Sequence, residues 1–217
     1  MIKLTLKDGS VKEIENKMSI LDIAKSISEG LARMATAGEV NGEVKDLRYV
    51  VEKDCSLNIL TFESSLEGKK AYWHTTSHIM AQAVKRLFPK AKLAIGPAID
   101  DGFYYDFDVE KPFTDEDKQK IEEEMKKIIK EDLEIERFEL PRAEALKLMS
   151  DMGEDYKVEL INELPEDSVI SFYKQGGFTD LCAGPHLLST GKVKAVKILS
   201  SSGAYWRGNE NNKMLQR

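Results

Sequence analysis

Apolar and polar positions alternate from the start of the chain. Ile2, Leu4 and Leu6 fall on one side of an extended segment, and Asp8-Gly9 follows as a hairpin turn into a strand marked by Val11 and Ile14. Ser19 is placed to cap a short helix carrying Ile20, Ile23, Ala24 and Ile27 on one side, and Gly30 is placed to stop it. Further extended pieces are expected at 37–40, 47–51 and 57–62, with Asn41-Gly42 as a turn. A hairpin, one helix and more strands within residues 1–62 predict a small mixed sheet of β-grasp type. Cys55 has no histidine in this segment to activate it and reads as a small buried residue.

The polar stretch 63–70 marks a boundary, so a second domain is expected over 63–217. Its first element is a helix from Ala71 to Phe88, closed by Pro89. At about 100° per residue, Met80, Ala83, Val84 and Leu87 form the core-facing flank. His74 and His78 lie one turn apart on roughly the opposite flank, lining a cleft or facing solvent. Residues 93–109 read as extended, with a turn at Asp101-Gly102 that brings back the aromatic run from Phe103 to Phe107. A charged helix follows from Thr114 or Asp115 to Glu131, with Ile121, Met125, Ile128 and Ile129 as a narrow apolar stripe. Then come a strand at 135–140, a helix opened by Pro141, an apolar-periodic piece from Asp155 and a strand at 169–172. Gly184-Pro185 argues against one regular helix holding Cys182 and His186, and places them on a tight loop. Val193, Ala195 and Ile198 predict one more strand. The fold class is α+β, a small β-grasp domain followed by a larger domain with a mixed or antiparallel sheet and helices beside it.

Composition changes this picture little. The 217 residues are 41% hydrophobic and 32% charged, as in a soluble globular protein, and no apolar run is long enough to span a bilayer. Two cysteines far apart make no disulfide framework, which points to a reducing, cytoplasmic setting. The net charge of -6 gives no support for general nucleic-acid binding. Residues 189–217 nevertheless carry six basic groups against Glu210 alone, enough for a local phosphate-contacting surface. Neither G-x-G-x-x-G nor G-K-[ST] occurs, so no familiar nucleotide loop is present.

The candidate chemistry is concentrated. All three histidines and one of the two cysteines fall in two pairs, His74-x-x-x-His78 and Cys182-x-x-x-His186. Three imidazoles and a thiolate are suitable for a tetrahedral zinc shell. The alternative is a metal-free centre in which imidazoles position and polarise a water, helped by Lys157 or Asp180, against an ester or similar acyl group. Spacing alone slightly favours the metal, and a nucleophilic Cys182 ranks below both readings.

Taken together, these residues resemble the N-terminal region of bacterial-type threonyl-tRNA synthetases. Residues 1–62 resemble the TGS domain, and 63–217 resemble the editing domain with a linker towards the synthetase core. The resemblance rests on His74-Thr75-Thr76-Ser77-His78, on Leu93-Ala94-Ile95-Gly96-Pro97 through Gly102–Phe107, on Tyr156–Leu160, on Thr179–His186 and on Ala204–Gly208 with Asn212–Arg217. It departs mildly from the family at Thr75-Thr76 and Ile79-Met80, which leaves the four key side chains untouched. The resemblance implies post-transfer editing, the hydrolysis of serine wrongly attached to threonine tRNA, without a metal; the alternatives are zinc at the four residues, or an RNA-binding module without hydrolytic activity of its own. It implies His74, His78, Lys157, Asp180, Cys182 and His186 as the catalytic set, with Tyr105, Tyr104, Gly96 and Pro97 contacting substrate. His74 is the residue closest to general-base duty. The implied partners are threonine tRNA, above all its single-stranded aminoacylated 3′ end, and a synthetase core of the same polypeptide. ATP would serve only that core. The chain alone is expected to be a monomer and the full-length protein a homodimer.

Overall fold

The alternation at the N-terminus becomes a hairpin in the computed structural model, which describes residues 1–217. Strands β1 (Ile2–Leu6) and β2 (Val11–Ile14) pair antiparallel with Ile2 opposite Ile14, and Gly9 turns the chain at φ 85°. After β3 (Met18–Ser19), Ser19 Oγ accepts the Asp22 N–H and starts helix α1 (Ile20–Ile27). Gly30 does not stop this helix. Ser28 does, by turning to extended dihedrals and capping a second short helix, α2 (Glu29–Met34), with Gly30 inside it. Strands β4 (Ala35–Val40), β5 (Glu43–Lys45), β6 (Val50–Val51) and β7 (Cys55–Thr61) follow.

These strands form a five-stranded sheet in the order β2-β1-β7-β4-β5, in which β1 and β7 run parallel and the other pairs antiparallel. A mixed sheet with a helix across it is the arrangement expected from the sequence. Leu4, Ile14, Ile20, Ile23, Leu47, Val51 and Leu57 make its core. Gly38 allows α1 to lie close, since a Cβ there would stand 2.8 Å from both Cδ1 and Cγ2 of Ile20.

Helix α3 (Leu66–Leu87) starts earlier than the hydrophobic pattern predicts, because Ser65 Oγ accepts the Gly68 N–H and turns the polar stretch into a first helical turn. Its histidine flank also differs from the expectation. Thr75, Thr76, Ser77, His78 and Ile79 are all buried, whereas Leu87 is exposed. The rings of Tyr105 and Phe178 meet His78 edge-on, and Ser77 Oγ donates to the Gly96 carbonyl at 2.8 Å, so this face is covered by protein.

Four short strands come next, β8 (Lys92–Leu93), β9 (Ala98–Ile99), β10 (Gly102–Phe103) and β11 (Phe107–Asp108). The pair β9 and β10 forms the hairpin predicted from Asp101-Gly102. A capping box between Thr114 and Asp117 opens α4 (Asp115–Glu131), which buries Ile121, Met125 and Ile128. Strands β12 (Ile135–Glu139), β13 (Ser171–Gln175) and β14 (Phe178–Leu181) form an antiparallel sheet, with helices α5 (Arg142–Asp151) and α6 (Asp155–Glu163) between β12 and β13 in the chain. Ala145, Met149, Ile161, Ile170 and Phe172 share one core cluster there. The strand expected at Val193–Ile198 is absent. Val193 is buried, but Ala195 is exposed and Ile198 only partly buried, so the three residues share no covered face. Strands β15 (Gly203–Tyr205) and β16 (Met214–Gln216) complete a four-stranded sheet, β15-β16-β11-β8.

The chain divides into two compact units, Met1–His74 with Gly184–Leu188, and Thr75–Ala183 with Ser189–Arg217. No helix is long and apolar enough to cross a membrane.

Candidate functional site

Strand alternation selects the residues at the centre of the second unit. Along β14 and just past it, Phe178, Asp180 and Cys182 are buried while Thr179 and Leu181 are only partly so, the period of two that sets side chains on one face. On α6, Lys157 and Ile161 are the buried pair, one turn apart. Tyr105 enters from the segment between β10 and β11, and its ring lies against the Gly96 backbone so closely that a Cβ on Gly96 would run into it. Helix α3 supplies His78.

Asp180 is the hub. Tyr105 Oη donates to its Oδ2 at 2.6 Å, Lys157 Nζ stands 3.0 Å from Oδ1 as an ion pair, and His78 Nε2 lies 3.6 Å from Oδ2. The four side chains are almost wholly buried, so each charge acts through a medium of low polarity. Burial pushes the Asp180 carboxyl upwards, but the Lys157 ammonium, His78 and the Tyr105 hydroxyl outweigh it and leave Asp180 below its ordinary value. Burial drives His78 down to about 4, against the pull of Asp180 and with the help of Lys157, so its imidazole is neutral at pH 7. Burial and then Asp180 raise the Tyr105 phenol well above its usual range, which keeps it a hydrogen-bond donor.

The other half of the sequence constellation is set out differently. His74 is half-buried on α3, and its ring centroid is 4.5 Å from that of the fully buried His186. His186 sits on the irregular stretch after β14, where Gly184 takes φ 78° and the Gly184–Pro185 bond is cis. Its N–H donates to Asp46 Oδ2 at 3.1 Å, and its carbonyl accepts from Arg48 Nη1 at 3.2 Å. Cys182 is buried beside Ile135 and Tyr173, with its backbone N–H bonded to the Ser171 carbonyl at 3.1 Å.

Of the four candidate donors, His74 and His186 belong to the first unit and His78 and Cys182 to the second. Three imidazoles and a thiol are a donor set that suits zinc, and the Asp180 carboxylate near His78 is the kind of outer partner that ligating histidines use.

The expected substrate-contacting residues separate into two groups. Tyr105 joins the network through Asp180. Tyr104 does not; its ring lies under the Arg217 guanidinium at 3.9 Å, and Arg217 in turn holds Asp106 through two hydrogen bonds of 2.8 and 3.0 Å. Gly96 and Pro97 contribute backbone carbonyls, accepting from Ser77 Oγ and from the Tyr104 N–H. Sequence reasoning missed Asp46 and Arg48 altogether. Their one local signal is an Asx turn, in which Asp46 Oδ1 accepts the Arg48 N–H, and nothing in it points to a partner some 140 residues away.

Two family models match the chain. Residues 2–61 match the TGS domain, and residues 170–217 match the threonyl and alanyl tRNA synthetase second additional domain, a span that includes Asp180, Cys182 and His186. Among curated proteins, the chain is 70% identical to a Threonine--tRNA ligase of Acetivibrio thermocellus over all 217 of its residues, covering 34% of that protein. It is 66% identical over its whole length to a Threonine--tRNA ligase of Clostridioides difficile, covering 34%, and 65% identical to one of Clostridium perfringens, covering 33%. The chain thus spans about a third of the length of the relatives it matches. With a TGS domain at its start and second-additional-domain sequence at its end, it corresponds over its whole length to the N-terminal part of bacterial threonine--tRNA ligases.

Proposed function

We propose that this chain is a proofreading module that hydrolyses the ester joining serine to threonine tRNA, with water activated by protein groups. The observation that carries the reading is the buried Tyr105–Asp180–Lys157–His78 network, with Cys182 and His186 following Asp180 within the matched second additional domain. Its relatives are ligases for threonine, and a pocket that accepts threonine cannot strongly exclude serine, because one methyl is worth only about 1–3 kcal/mol. A second, hydrolytic site removes that error.

In this reading His74, half-buried and therefore within reach of water, takes the proton as a water attacks the ester carbonyl. The new carbon–oxygen bond forms and the ester bond breaks. The ribose oxygen leaves with the proton, giving free serine and intact tRNA. His78 is held neutral and serves as an orienting group, together with Cys182 and His186. The carboxylate of Asp180 suits the ammonium of the seryl group, and Lys157 and Tyr105 fix that carboxylate in place. The single-stranded 3′ end of the tRNA is the partner, read by stacking and 2′-OH contacts. The chain alone is a monomer and the full-length protein a homodimer in the cytoplasm, with the ATP-dependent chemistry in a synthetase core of the same polypeptide.

The four donors favour a second reading, in which His74, His78, Cys182 and His186 hold zinc and the ion supplies Lewis acidity. One experiment tests both. Purified chain is given seryl- and threonyl-threonine-tRNA, with and without chelator, beside His74→Ala. Release of serine alone, resistant to chelator and abolished by the substitution, is the expected result. Equal release of both amino acids would refute editing, and chelator-sensitive release would transfer the site to zinc.

A further inference from the structure

The stretch Gly184–Leu188 groups with Met1–His74 in the first compact unit, although it lies more than a hundred residues further along the chain. The reason is a set of backbone contacts. Asp46 Oδ2 accepts the His186 N–H at 3.1 Å. Arg48 bridges two consecutive carbonyls, donating from Nη1 to His186 O at 3.2 Å and from Nη2 to Leu187 O at 2.9 Å. The two side chains are themselves paired, Arg48 Nη1 to Asp46 Oδ1 at 2.8 Å, and the Arg48 N–H returns to the same oxygen at 2.9 Å. Leu188 adds an apolar anchor against the β-grasp core. A single Asp–Arg pair therefore fixes both backbone polar groups of His186, and its ring is set against His74 at 4.5 Å.

From this juxtaposition we propose that Asp46 and Arg48 are positioning residues for His186, and through it for the His74 ring it faces. The proposal rests on the ester-hydrolysis reading for its effect on rate, but the clamp itself is a structural statement that can be tested without activity. Arginine is required because its planar fork serves two carbonyls while keeping the bond to Asp46, whereas a lysine ammonium cannot span that geometry. Neither residue touches the reacting ester; each acts through the placement of His186.

The full chain is studied as wild type, Arg48→Lys, Asp46→Asn and Asp46→Ala, with thermal melts to identify any variant that fails to fold. Arg48→Lys and Asp46→Asn are the conservative variants that keep the test decisive if Asp46→Ala unfolds. The first readout is amide hydrogen exchange and the ring signals of His186. Exchange is expected to rise by about tenfold or more in Arg48→Lys and Asp46→Ala and less in Asp46→Asn, which keeps an acceptor, while His78 signals stay in place. The second readout is seryl-tRNA hydrolysis, in which kcat should fall by about tenfold with KM within about twofold, since a misplaced group costs turnover more than binding. Unchanged exchange and ring signals of His186 would overturn the clamp. A loosened His186 with wild-type kcat would overturn its role in the reaction. Failure of the wild-type chain to release serine would remove the hydrolytic reading and with it the effect on rate, and the exchange data would then decide the clamp alone.

Discussion

Replacing Lys157 by Met tests whether Asp180 is held by its counter-ion. The ammonium lies 3.0 Å from Oδ1, and both side chains are no more than 5% exposed. Met fills most of the space of the lysine stem but leaves a carboxylate with no cation in a dry interior, which costs about 3–5 kcal/mol. The 2.6 Å bond from Tyr105 remains, so the lower end, about 3 kcal/mol at pH 7, is expected. Asp180→Asn should cost a similar amount by stranding the ammonium. The double variant carries neither charge, so its cost should fall short of the sum by about 2 kcal/mol or more. His78 gives an independent check. Lys157 helps to hold it down and Asp180 pulls it up, so Lys157→Met should raise its titration above about 4, and Asp180→Asn should not. A protonated His78 would then partly replace the lost cation, making the Lys157→Met penalty smaller at pH 5 than at pH 8. Urea unfolding followed by Trp206 in a Trp73→Phe background reports on the second unit alone. Additive single costs, or a His78 titration that stays put in Lys157→Met, would refute the network as described.

Two further outcomes follow from the same geometry. His78 titrates at about 4 when folded and near 6.5 when unfolded, so between these values the unfolded chain binds more protons; its contribution is intact above about pH 6.5 and lost as pH falls towards 4, by up to about 3 kcal/mol. A His78→Asn variant should lose that slope in urea titrations run across the window, and an unaltered slope would assign it to other groups. Gly96→Ala places a methyl against the Tyr105 ring, which should cost about 1–3 kcal/mol and break the bond from Tyr105 to Asp180; an unshifted midpoint and an unchanged Tyr105 hydroxyl signal would count against it.

Much of the first unit is legible in the chain because local signals agree there. Asp8-Gly9, the Ser19 cap and the spacing of Ile20, Ile23 and Ala24 each act within a few residues, and each is found in place. The early start of α3 and the missed stop at Gly30 come from local serine caps, at Ser65 and Ser28, whereas two failures in the second unit come from distant neighbours. Helical phase put His78 opposite the apolar flank, but periodicity cannot say that Tyr105 and Phe178 cover that flank too. Val193, Ala195 and Ile198 read as a strand, yet no strand forms there. Of the site residues, the paired motifs were visible as composition, since every histidine falls in one of them. Asp46 and Arg48 were not, because an Asx turn explains their local spacing and their backbone partners lie far along the chain.

The charge states of the network narrow the choice of proton carrier on the hydrolysis proposed above. Tyr105 is held protonated by burial and Asp180, Asp180 is held ionised chiefly by Lys157, and His78 is held neutral by burial. Lys157 is tied to Asp180 by the ion pair. Groups held in one state near neutral pH make a fixed electrostatic frame and poor relays, since changing the protonation of any of them works against the burial and charges that set it. His186 is fully buried and has both backbone polar groups bonded by Asp46 and Arg48, which suits it to hold another group in place. His74 differs from all of these in being half-buried, with the His186 ring against it. The proton from the attacking water is therefore assigned to His74. A disturbance at Asp46 or Arg48 then reaches that proton transfer through the contact between the two imidazoles, which makes the loss of turnover in the clamp variants a test of the base as well as of the clamp.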